Sequence, residues 1–322
     1  QGRARSPPPP LLVGARPRAA GGRAMAAAQA HPSSKLLHNE GWTKLPDGMP
    51  EWELRRYVED LYTRYHKRIY SLLDARRRDW HKGDKSGEPG AWRMGGLAAK
   101  QVNKALKGTG LYLYAAHPSQ ADDAEDEEYA GPRWYVTCME NMMQHFGEEG
   151  EVALPPPEVC AILWPREEER RKRPWLTEAG WTVVPENSQP QVLHADVCWK
   201  DGPHPRRRGQ GRYHHFAWKL DPKSNCTTNV VPRGFTEGCT TWEHYERVVS
   251  VQAPAFIFDS EMLHRGAATA KGVGFSSTLT LQVCSGKGLP ALKERISANM
   301  MWYTLSFERL PRSLPPPAPA PP

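Results

Sequence analysis

After residue 175 the chain breaks into seven short runs rich in β-branched and aromatic residues: "GWTVVP", "PQVLHADV", "RYHHFAWKLD", "TTNVVP", "RVVSVQAP", "AFIFD" and "FSSTLTLQVC". Each is set off by Gly, Pro, Asn or Asp, and several alternate apolar and polar residues with period two, as a half-buried strand does. No helical pattern stands between them, which removes the crossovers a parallel sheet needs. The segment is expected to form an antiparallel sandwich, jelly roll or barrel.

Upstream the texture is helical. From Pro50 to about Arg78, Leu54, Val58, Leu61, Tyr65, Ile69 and Leu72 recur at intervals of three and four, with Pro50 suited to the first turn. A second helix is expected over 96–108, ended by Gly108, and a third across 135–150, where Val136, Met139, Met143 and Phe146 share a face. The acidic run 121–131 reads as a surface loop, and "PREEERRKRP", 165–174, as an exposed connector. The expected organisation is α+β: a disordered basic tail over 1–39, a helical N-terminal region over 40–174, a β-domain over 175–310, and a disordered proline-rich tail over 311–322.

The formal net charge of +7 matters less than its location. Arg3, Arg5, Arg16, Arg18, Arg23 and Lys35 lie in the first 39 residues without one acidic residue; the remainder carries 37 basic against 36 acidic residues. A nearly neutral folded part argues against a dedicated polyanion binder. The tail has the composition of an organellar transit peptide, with a plain tail, or translated sequence upstream of a start at Met25, as the other readings. No apolar run approaches the roughly 18 residues that span a bilayer, so a soluble, intracellular chain is expected, cytoplasmic by default. The six cysteines include no Cys-x-x-Cys pair, which points to free thiols in a reducing compartment. Cys226, Cys239 and His244 match no recognised zinc spacing.

In "PQVLHADVCW", 190–199, His194 and Asp196 stand two apart at the end of a β-run, so both project to one face. In "APAFIFDSEMLHRGAA", 253–268, His264 follows a buried apolar run by way of a turn, near which Asp259 is suited to a cap. Two imidazoles and one carboxylate are the donor set of a facial Fe(II) centre, which leaves the opposite positions open for oxygen chemistry. The plain alternative is a hydrogen-bonded core histidine and a turn aspartate. His214 and His215 are adjacent, so one of them faces the core, as a packing or substrate-side residue.

These segments resemble the Fe(II)/2-oxoglutarate-dependent dioxygenases, and among them the phytanoyl-CoA dioxygenase-like group. There "Q-x-x-H-x-D", an "N-x-V-V-P"-like strand and "F-F-D-x-x-x-x-H-R-G" follow in this order. The counterparts are Gln191 with His194 and Asp196, then "TTNVVPRGF", then "FIFDSEMLHRGAA", and the resemblance covers about residues 175 to 286. It implies a double-stranded β-helix (jelly roll, cupin-like) with the helical N-terminal region packed on it. It also implies Fe(II) on His194, Asp196 and His264, 2-oxoglutarate as cosubstrate, and O2, with hydroxylation of an organic substrate and release of succinate and CO2. The family pairs the distal carboxylate of 2-oxoglutarate with an arginine about ten residues beyond the second histidine. Gly274, Phe275 and Ser276 stand there. The cosubstrate residues implied are Lys271 first, then Arg265 and Lys219, with Ser277 as helper.

Two other classes stay open. One is a non-catalytic cupin-type binding or scaffold protein that has lost 2-oxoglutarate binding. The other is a nucleic-acid-modifying oxygenase using Arg206, Arg207, Arg208 and Arg212 of "GPHPRRRGQGR", whose plain reading is a solvated loop. The substrate expected first is a small or lipid-like organic molecule.

Overall fold

The computed structural model describes residues 32–80, 96–115, 133–138, 155–165, 174–191, 193–196, 212–220, 227–235, 244 and 246–285. Among these residues the strands are β1 (Trp42–Lys44), β2 (Tyr112–Ala115), β3 (Trp134–Thr137), β4 (Pro174–Val184), β5 (Arg212–Lys219), β6 (Thr228–Phe235), β7 (Val249–Val251), β8 (Ala255–Asp259), β9 (Met262–Gly266) and β10 (Ser276–Ser285). They form a seven-stranded sheet in the order β1-β8-β5-β10-β4-β3-β2 and a three-stranded sheet in the order β7-β6-β9. His194 bridges His264 antiparallel, which lays the 193–196 segment along the free edge of β9. From β4 to β10 the chain therefore passes back and forth between two sheets, which is a double-stranded β-helix.

Period-two alternation divides the side chains of the large sheet between two environments. Phe216, Trp218, Ile257, Leu279, Leu281 and Val283 pack outward into the main apolar core under the helices. Ala217, Phe256 and Phe258 pack inward with Val230, Val251 and Met262 between the sheets. The functional site lies on that inner face.

The helices are α1 (Pro32–Glu40), α2 (Glu53–Asp74), α3 (Gly96–Leu106) and α4 (Pro157–Leu163). On α2, Leu54, Val58, Leu61, Ile69 and Leu73 are buried. The stripe follows 3.6 residues per turn and so ends on Leu73 instead of Leu72. The helix begins after Pro50, with Trp52 as its N-cap. Tyr70 Oη lies 2.6 Å from Ser277 Oγ, tying α2 to β10. Asn103 clamps α3 to β2 through both its amide groups, donating to Leu113 O and accepting from Leu113 N. As expected, α3 closes before Gly108, whose φ of +79° is the left-handed conformation glycine adopts without strain.

Three expectations need correction. Residues 32–39, placed in a disordered tail, form most of α1, because Leu37 is buried in the core. Region 40–174 is not only helical: it supplies β1, β2 and β3, which extend the large sheet at both edges. The expected third helix begins on what is strand β3, where Tyr135 and Thr137 face inward opposite Thr182 and Gly180 while Trp134 and Val136 join the outer core. Residues 139–150, the acidic run 121–131, the connector at 166–173, the arginine loop at 202–211, Cys226, Cys239 and both extreme termini lie outside the described residues. Cys138 and Cys160 are free thiols. Among the described residues no helix is long and apolar enough to cross a membrane.

Candidate metal centre

His194, Asp196 and His264 come together where the 193–196 segment meets β9: one ligand atom from each lies within 4.8 Å of the others. His264 Nδ1 contacts Met262 O at 2.9 Å, which assigns the ring proton to Nδ1 and leaves the Nε2 lone pair facing the cluster. That Nε2 is 3.2 Å from Asp196 Oδ2, and His194 Nε2 is 3.6 Å from Asp196 Oδ1. Metal bonds of about 2.1 Å place two ligand atoms at right angles about 3 Å apart, so the spacing suits three ligands on one face of a single ion. The imidazoles are held by packing: the ring centroids of His194 and His264 are 4.6 Å apart, and Phe258 covers His264 at the same distance.

A further buried network orients the carboxylate. His215, on the inner face of β5, donates from Nδ1 to Asp196 Oδ2 at 2.7 Å, and its Nε2 is 3.8 Å from Glu178 Oε2 on β4. Ser260 Oγ lies 3.4 Å from His215 Nδ1 and accepts from Gln282 Nε2 at 3.2 Å. Tyr114 Oη donates to Glu178 Oε1 at 3.0 Å. Burial alone would lower the His215 pKa; the charge of Asp196, with help from Glu178, outweighs it and lifts the group to about 9. For Asp196, burial alone would raise the pKa, but His264 and His215 hold it well below the usual carboxylate range. Tyr114 is pushed well above its ordinary value, by burial first and then by Glu178, and so stays a hydrogen-bond donor.

The outer contact from His215 fixes which way the Asp196 carboxylate points, and such partners contribute about 10–100-fold to metal affinity. His215→Ala is therefore expected to weaken Fe(II) or Co(II) binding by about that factor, measured by anaerobic titration. His215→Asn, whose amide reaches the Nδ1 position, is expected to recover part of the loss. Equal affinities in the wild type and His215→Ala would exclude the orienting role.

The four residues expected at the cosubstrate fare unequally. Lys271 is exposed in the turn before β10. Alternation along β9 turns Arg265 to the face opposite His264. Ser277 faces the helices, bonded to Tyr70. Lys219 is half-buried at the end of β5, on the face of His215. Phe275, at the position where the family has its arginine, stacks on Tyr70 at 4.9 Å in the helical layer. Gln191 accepts from Gly266 N through its Oε1, tying the segments that carry the candidate ligands together one step beyond the bridge. Asp259 caps its turn by accepting from Glu261 N.

Sequence reasoning missed Glu178 and Arg133. Neither has a local signature: Glu178 sits in a strand otherwise dominated by apolar and small residues, and Arg133 precedes a strand in a region expected to be helical. Arg133 reaches from the start of β3 to the opposite sheet, where its Nη2 donates to Gln189 O at 3.1 Å and to Ala267 O.

No family model matches the chain, and no curated protein does. Similar solved structures include EctD from S. alaskensis with bound Fe, 12% identical, covering 82% of this chain and 79% of that one at a TM-score of 0.41. Another is the non-heme alpha ketoglutarate dependent carbocyclase SnoK from nogalamycin biosynthesis, 12% identical over 90% of this chain and 98% of that one, TM-score 0.39. AviO1 from Streptomyces viridochromogenes Tue57 is 15% identical over 82% and 97%, TM-score 0.35. The chemistry of this chain rests on its own site.

Proposed function

We propose that the protein is a non-haem Fe(II)- and 2-oxoglutarate-dependent dioxygenase that hydroxylates a small or lipid-like organic substrate. The observation that carries this reading is the clustering of two imidazoles and one carboxylate on the inner face of a double-stranded β-helix, with one ligand atom of each within 4.8 Å of the others. When bound, Fe(II) with 2-oxoglutarate and O2 supplies the oxidising power: the oxo acid loses CO2 to become succinate, one oxygen atom enters succinate and the other the substrate C–H bond.

The chain's own part is preparation. His194, Asp196 and His264 would hold the metal; Met262 O and His215 fix the orientation of His264 and Asp196. Phe256, Phe258 and Val230 line the space between the sheets with apolar surface and limit the access of water to it. The resident thiols Cys138 and Cys160 support a reducing, intracellular compartment, with the cytoplasm as the default.

Anaerobic addition of 2-oxoglutarate to the Fe(II)-loaded protein is expected to raise a weak visible charge-transfer band, and admission of O2 to release succinate. Folded, metal-loaded protein that gives neither band nor succinate would refute the assignment.

A further inference from the structure

We propose that Arg133 takes the distal carboxylate of the oxo-acid cosubstrate, in place of the arginine that this chain does not carry on β10. The inference rests on the oxygenase reading above and assigns a residue within it. Three observations converge on Arg133.

The first is position. His264 and Gly266 are two apart on β9 and point to the same inner face, so their Cα atoms are separated by about 6.7 Å. A Cβ built on Gly266 would collide with Arg133 Nη1 and come within 2.8 Å of Gln191 Oε1. The guanidinium therefore occupies the space beside the second histidine ligand. A dicarboxylate held by His194, Asp196 and His264 through a metal at its oxo-acid end would be about as long as the two-residue strand step from His264 to Gly266, so the guanidinium stands within its reach. Lys219, by contrast, lies four residues from His215, about 13 Å along β5.

The second is pre-organisation. Arg133 is 4% exposed, and the carbonyls of Gln189 and Ala267 hold Nη2. A guanidinium has five N–H donors in a rigid planar fork, so anchoring one nitrogen on backbone carbonyls fixes the plane of the whole group. The third is the glycine itself. Gly266 has no left-handed backbone that would require it, and the atoms its Cβ would strike are side-chain atoms, those of Arg133 and Gln191. What glycine provides at this position is room for the arginine.

A purely structural arginine, tying the end of β4 to β9, would share these carbonyl contacts, so the test separates ligand recognition from support. Cosubstrate affinity is measured anaerobically on Fe(II)-loaded protein, by the charge-transfer band and by calorimetry, with 2-oxoglutarate and with pyruvate, an oxo acid that lacks the distal carboxylate. Arg133→Gln is expected to weaken 2-oxoglutarate by roughly 10–100-fold and leave pyruvate unchanged. Arg133→Lys is expected to recover part of the loss. Gly266→Ala, which keeps the arginine and displaces its head, is expected to weaken 2-oxoglutarate selectively and carries the test if Arg133→Gln does not fold. Unchanged 2-oxoglutarate affinity in Arg133→Gln or Gly266→Ala, or an equal loss of both oxo acids, would overturn the assignment and leave the oxygenase reading intact. Metal-loaded wild type that binds no 2-oxoglutarate would overturn both.

Discussion

Replacing His264 with alanine is expected to abolish stoichiometric iron binding while the protein stays folded. The ring is one of the three candidate donors, and among the described residues its neighbours are committed elsewhere: Phe258 covers it on one side, Leu263 and Arg265 alternate to the other face of β9, and His215 is held between Asp196 and Glu178. Outer partners of metal ligands already account for about 10–100-fold in affinity, so loss of a ligand itself is expected to exceed about 100-fold. The cost to the fold is smaller, because the main-chain bridge from His194 N to His264 O and back, at 2.9 and 2.8 Å, does not involve the side chain. Equilibrium dialysis with Fe(II) under anaerobic conditions, paired with thermal melting, checks both halves. A His264→Ala protein that still holds one equivalent of iron with near wild-type affinity would refute the triad. Asp196→Ala is expected to lose iron as completely, since it also strips His215 of its 2.7 Å partner.

The part of this site that the sequence announced is the part encoded by local rules. "HAD" ends a β-run, and the period of two is enough to put His194 and Asp196 on one face. The seven β-runs were legible for the same reason, since their alternation survives without knowledge of their partners. The rest depends on pairing. β1, β2 and β3 are three or four residues long, and a strand of that length carries too few positions to display a period; only pairing, β1 on β8, β3 on β4 and β2 on β3, makes them strands. β9 looks like a turn because "MLHRG" mixes a histidine, a charge and a glycine, yet Thr228, Asn229 and Val230 pair with Gly266, Arg265 and His264. The 193–196 segment errs the other way: it reads as a full strand and, among the described residues, makes an isolated bridge, while Gln191 completes the tie to Gly266 with its main-chain N–H and its side-chain oxygen.

The cosubstrate side was illegible for a related reason. A search for a basic residue near His264 in sequence finds Arg265 and Lys271, but the fold sends the first to the wrong face and the second to solvent. Arg133 is 131 residues from His264 and reaches the end of its strand, at Gly266 and Ala267, only because β3 joins the large sheet through β4. Gly266 was visible as part of the motif, whereas its meaning, the space for a guanidinium, is a property of three segments at once.

Trp181→Ala is expected to be the costliest single change in the core. The indole is fully buried, stands opposite Leu279 on β10 and Val136 on β3, and meets Tyr62 of α2 edge-on at 5.7 Å. It therefore fills the layer that joins the large sheet to its longest helix. Truncating a buried tryptophan leaves a cavity that the two sheet neighbours cannot fill without breaking register, and costs about 3–5 kcal/mol. The indole N–H is buried without a hydrogen-bond partner, so the residue serves here by volume. Trp181→Phe gives up part of that volume and no hydrogen bond, and is expected to cost only about 1–2 kcal/mol. Denaturant unfolding of the two variants beside the wild type measures the pair; an alanine cost below about 1 kcal/mol, or a phenylalanine cost equal to it, would refute the volume argument. Because β4 also carries Glu178 on its inner face, the alanine variant is expected to loosen the Glu178–His215–Asp196 chain and so to bind iron more weakly than its residual stability alone would require.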